Sequence, residues 1–144
     1  MQRVSEFKGW LAAAVLICLS VATVFAAENG RRSSRTAFAH ALPAMDGQKL
    51  GVDLVEVTYG PGAASPTHSH PCPVIGYVVS GAIRTQVKGE AEAIYKAGES
   101  FYEPPNGVHL VSGNASDKQP AKLLAIFICD HEAPLSAPAK GDAK

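Results

Sequence analysis

The sequence predicts an all-β domain, a double-sheet jelly roll or small barrel. Short apolar runs with period-two alternation recur along the chain, and turn residues separate them: 13 Gly and 10 Pro among 144 residues. No stretch of useful length carries the 3.6-residue apolar period of an amphipathic helix. The length is that of one domain, and a hydrophobic fraction of 47% is ample for one core. Closed or double-layered sheets are the architectures that bury many short strands of this kind.

The chain opens with a different pattern. Gly9 to Ala27 is apolar or small and uncharged, and it follows Arg3 and Lys8. A basic start, a hydrophobic middle and small residues at the end make a secretory signal, with cleavage expected after Ala26. An uncleaved membrane anchor is the alternative, because about 18 apolar residues suffice to span a bilayer. Arg31, Arg32 and Arg35 lie just beyond and resist translocation. Leu16-Ile17 lacks the small residue that a lipid-modified Cys18 would need before it. In either case the domain is expected outside the cytoplasm.

Residues 27–48 read as a linker rich in Arg, Ser, Ala and Gly, ordering near Ala41-Leu42-Pro43, with His40 at the surface. The barrel is expected over residues 49–130. Leu50 to Tyr59 alternates as a strand and ends at the turn Gly60-Pro61-Gly62. Pro66 to His70 is a short extended piece. Val74 to Val79 and Ile83 to Val87 form a hairpin about Ser80-Gly81. Ala91 to Lys96 and Ser100 to Glu103 follow, split by Ala97-Gly98. Pro104-Pro105-Asn106-Gly107 blocks continuation, since proline donates nothing to a ladder. Val108 to Ser112 and Ala121 to Cys129 complete about eight strands, and residues 131–144 form a tail expected to fray.

Charge excludes some partners. Lysine plus arginine equals aspartate plus glutamate at 13 each, and no basic face stands out, so no nucleic-acid partner is expected. Loss of residues 1–26 leaves the chain near neutral. Cys72 and Cys129 then remain; in an oxidising compartment they pair if their Cα atoms come close enough, and otherwise they are two buried thiols.

The chemistry gathers at Thr67-His68-Ser69-His70-Pro71. Two histidines two residues apart on an extended segment project to one side, so on an inward-facing strand both imidazoles enter one cavity. Gly62, five residues, and His68-Ser69-His70, closed by Gly81, resemble the first motif of the cupin superfamily. Gly98, five residues, Pro104 and His109 resemble its second motif, with Asn106 where that motif carries another glycine. The resemblance covers roughly Val52 to Cys129 and implies a small, single-domain cupin-type jelly-roll barrel.

It also implies a metal. His68, His70 and His109 are the expected ligands, while the motif's usual glutamate would fall on Val74 or Ile75, neither of which binds metal. A three-imidazole site suits Fe, Mn, Ni, Cu or Zn as the divalent ion, which would keep its full double charge. Glu103 and Glu99 are the nearest carboxylates to the second motif; Glu103 reads first as a solvent-facing strand end, and otherwise as a fourth ligand or an acceptor for an imidazole N–H. Tyr77 and Tyr102 line the cavity or pack outside, and parity does not choose. No catalytic acid or base is identified.

The functional expectation is an exported cupin-domain protein that binds a divalent metal and acts on a small molecule as a dioxygenase-like oxidoreductase. The alternative is a non-catalytic module capturing a small metabolite or sugar. Membrane contact is expected only through an uncleaved N-terminal segment, and sheet edges in so small a domain are open to burial in a homodimer.

Overall fold

The computed structural model describes residues 34–139. The signal or anchor assigned to residues 1–26 lies outside them, as do the start of the linker and the last five residues.

Nine strands and no helix are present among the described residues. They are β1 (Gly51–Tyr59), β2 (His68–Ser69), β3 (Val74–Ser80), β4 (Ala82–Val87), β5 (Ala93–Lys96), β6 (Ser100–Glu103), β7 (Val108–Asn114), β8 (Ala121–Cys129) and β9 (Ala137–Pro138). They form two antiparallel sheets, one in the order β1-β8-β3-β6 and the other β5-β4-β7-β2-β9. This is the expected double-layered jelly roll, with every expected strand present.

Alternation sets the core. In β8, Ala121, Leu123, Ala125, Phe127 and Cys129 are buried and the residues between them are not. Ile83, Thr85 and Val87 do the same from the opposite sheet. One apolar cluster contains Tyr59, Val78, Ile83, Phe101, Ala121 and Leu123. A second contains Cys72, Val74, Ala125, Phe127 and Cys129, with Leu135 packed on it.

Turn chemistry closes the hairpins. Gly81, between β3 and β4, has φ of 71°, and a Cβ there would stand 2.7 Å from the Pro120 carbonyl oxygen. Only glycine fits. Asn106 is the one described non-glycine residue with positive φ, at 60°. Asparagine tolerates this left-handed conformation better than most side chains, so it replaces the motif glycine without losing the turn. Its N–H donates to the carbonyl of His70 at 2.6 Å, tying the second motif to the first.

Asn114 holds the polar loops: its Nδ2 donates to the carbonyls of Gly60 and Gln119, and its Oδ1 accepts from the Ser116 N–H. Cys72 and Cys129 form a disulfide joining the β2–β3 loop to the end of β8, which settles the choice left open by the sequence.

Two boundaries need correction. The tail beyond Asp130 is not frayed throughout: Ala137 and Pro138 pair with Ser69 and His68, giving β2 a neighbour on its free edge. Order also begins before Ala41, since the Arg35 guanidinium donates to the Gly98 carbonyl and His40, though exposed, stacks on Tyr102 at 3.8 Å.

Candidate metal centre

Two paired strands bring the histidines together. His68 on β2 and His109 on β7 are direct cross-strand partners. His70 follows β2 at the spacing that returns its side chain to the same face. His70 and His109 are buried, and His68 is half-buried. The His68 ring lies 4.7 Å from that of His70 and 5.1 Å from that of His109, centroid to centroid. One ligand nitrogen from each falls within 4.8 Å of the other two. The sequence-predicted trio therefore forms one cluster able to hold a metal ion.

Neighbouring groups orient each ring. His68 Nδ1–H donates to the Pro66 carbonyl at 2.7 Å, and His70 Nδ1–H donates to the Leu135 carbonyl at 2.6 Å. A carbonyl only accepts, so in the neutral rings the Nε2 lone pairs of both are free to ligate. His109 Nε2 lies 2.5 Å from the Thr85 hydroxyl, while its Nδ1 is buried without any hydrogen-bond partner. A buried ring nitrogen left in this state is costly unless something fills its lone pair. The donor set fits a divalent cation.

Electrostatics point the same way for His68. Burial holds its pKa below the usual 6.5, and the neighbouring His70 and His109 add to this, outweighing the Pro66 carbonyl and Glu103. A depressed pKa keeps the imidazole neutral and ligand-competent near neutral pH.

The reading of Glu103 as a solvent-facing strand end is corrected. Its carboxylate is buried, with Oε2 3.1 Å from His109 Nδ1 and 3.4 Å from His70 Nε2. Parity explains this, because Phe101 and Glu103 share the inner face of β6. Tyr102 lies on the opposite face and stacks on His40. Tyr77 alternates with the buried Gly76 and Val78 and also points outward, so neither tyrosine lines the cavity. Glu99 accepts from the Lys96 N–H in a surface turn.

Sequence reasoning missed three contributors. Thr85 is the polar member of the inward-facing set Ile83, Thr85, Val87, and that alternation was a readable signal. Phe127 meets the His70 ring edge-on at 5.1 Å. The Leu135 carbonyl comes from the tail, where no sequence signal pointed to the site. Beside His68 lies a cleft of about 310 Å³, bounded by Ser65, Pro66 and Thr67 on one side and Ser136, Ala137 and Pro138 on the other.

Fold and site together define a jelly-roll barrel with a cluster of inward-facing histidines suited to a metal. The cupin domain model matches residues 55–127, and the chain belongs to the cupin family. A germin-like protein, subfamily 2 member 2, of Arabidopsis thaliana is 32% identical over 83 residues, covering 54% of this chain but only 37% of that protein. A cupin-like protein of Thermotoga maritima superposes with a TM-score of 0.54 at 30% identity, over 60% of this chain and 62% of its own. An oxalate decarboxylase of Bacillus subtilis superposes with a TM-score of 0.52 at 30% identity, over 60% of this chain and 23% of its own. A DMSP lyase of Ruegeria pomeroyi shares the fold at a TM-score of 0.56 and 17% identity, over 65% of this chain and 45% of its own.

Proposed function

We propose that this chain is an exported mononuclear metal cupin in which His68, His70 and His109 hold a divalent Fe, Mn, Ni, Cu or Zn ion, acting as a dioxygenase-like oxidoreductase on a small molecule. The observation that carries the reading is the convergence of three imidazoles with oriented rings, two of them buried and His68 half-buried. The likeness to an oxalate decarboxylase supports a small, oxygen-bearing substrate able to chelate through two oxygens.

A bound ion would supply Lewis acidity and, for a redox-active metal, a path for electrons. The chain's own residues supply the frame. Pro66, Thr85 and Leu135 orient the imidazoles, Phe127 and the Cys72–Cys129 cluster keep one side of His70 dry, and the cleft beside His68 admits a small molecule.

Export is supported by the N-terminal pattern and by the disulfide, a bond that persists in oxidising compartments. A homodimer is supported by β1, an edge strand that leaves Val52 and Leu54 exposed.

One observation favours a non-catalytic binding module instead. Glu103, the carboxylate at the centre, lies between two imidazoles rather than facing the cleft, so no free general base stands there. Oxygen uptake by the metal-loaded protein with diketones, flavonols, thiols and oxalate separates the two. Turnover with one class supports the enzyme; a rise in thermal midpoint with one class and no turnover supports the module.

A further inference from the structure

We infer that Glu103 is a fourth metal ligand, a carboxylate supplied from β6 in place of the one missing from β3. The inference rests on the three-histidine reading and deepens it. In the β3–β6 ladder Val74 and Glu103 are direct Cα partners. Val74 is one of the two positions where the first motif would carry its glutamate, and from it the carboxylate has moved one strand sideways while staying at the same level of the barrel. Residues directly opposite on antiparallel strands have Cβ atoms about 4.5–5.5 Å apart, a displacement that a glutamate side chain spans.

The separations around Glu103 match those of atoms sharing an ion. Ligand atoms about 2.0–2.2 Å from one cation stand about 2.8–3.6 Å from each other. Glu103 Oε2 stands 3.1 Å from His109 Nδ1 and 3.4 Å from His70 Nε2. Close as it is, the His109 nitrogen makes no hydrogen bond. His70 gives its N–H to the Leu135 carbonyl, so in the neutral ring its Nε2 turns a lone pair toward the carboxylate oxygen. Two lone-pair atoms facing each other in a buried site repel unless a positive charge stands between them.

No lysine or arginine is paired with Glu103 among the described residues; its ionisable neighbours there are the imidazoles of His70 and His109. A cation held jointly by Glu103, His70, His109 and His68 satisfies the carboxylate and the orphaned nitrogen at once. In that arrangement His109 ligates through Nδ1, its Nε2–H donates to Thr85, and the net charge of the centre falls from two to one.

Cobalt(II) binding to the full purified protein tests this, read by competition with a chromophoric chelator and by the visible absorption of the bound ion. The inference expects Glu103→Gln to weaken Co(II) at least tenfold and to change the absorption spectrum. If wild type binds Co(II) and E103Q matches it in affinity and spectrum, Glu103 is not a ligand and the three-histidine site stands alone. If wild type binds no Co(II), both readings fall together. Should E103Q not fold, the wild type still answers: a Co(II)-induced infrared difference spectrum must show a displaced carboxylate stretch at one equivalent of metal, and a flat carboxylate region overturns the inference.

Discussion

His68 and His109 stand directly opposite each other in the β2–β7 ladder, with ring centroids 5.1 Å apart. The two come from separate motifs, and pairing a two-residue strand with a seven-residue one brings them onto the same level. The pairing of β2 with β9 on its other edge is what keeps so short a strand in register.

The tail is therefore part of the site. Deleting residues 135–144 removes β9 and the Leu135 carbonyl that accepts from His70. Loss of an outer partner of a ligating histidine lowers metal affinity about 10–100-fold. Chelator competition on the truncated protein should read a loss in that range.

Thr85 orients His109 from the opposite sheet. Thr85→Val keeps the shape and removes the hydroxyl, leaving one more buried ring nitrogen without a partner, at about 1–3 kcal/mol. Urea unfolding should show that loss, and metal affinity should fall about 10–100-fold.

The disulfide closes a separation of 57 residues. A loop of that length corresponds to about 4 kcal/mol in the chain-entropy model. Cys72→Ala with Cys129→Ala should lower stability by that order, and because Cys72 is two residues from His70 it should also weaken metal binding. Denaturation with and without reductant checks the first part, chelator competition the second.

Acid should destabilise the metal-free protein through His68. Burial holds its folded pKa below 6.5, so between that folded value and 6.5 the unfolded chain binds more protons than the folded one. Stability contributed by this residue is unchanged above 6.5 and is lost as pH falls through that window. Between pH 8 and pH 4 the thermal midpoint of wild type should fall further than that of His68→Gln.

Most of this architecture was legible from alternation and turns. Gly60-Pro61-Gly62, Ser80-Gly81, Ala97-Gly98 and Pro104-Pro105 bracket strands whose inward residues repeat every second position, so β1 to β8 follow from local pattern alone. The histidine trio was legible because spacing within each motif is local. Glu103 was not: its role depends on which strand lies beside β3, and pairing across a sheet leaves no mark at one position. The tail was missed for a related reason. Ala-, Pro- and Lys-rich sequence carries no strand signal, and Ala137-Pro138 is held by β2 rather than by its own propensity.

The central claim is that His68, His70 and His109 bind one divalent ion. Elemental analysis of the purified protein beside a His68→Ala, His70→Ala variant tests it most directly. The account predicts about one transition-metal ion per chain in the wild type and none in the variant. Equal metal in the two proteins would contradict it.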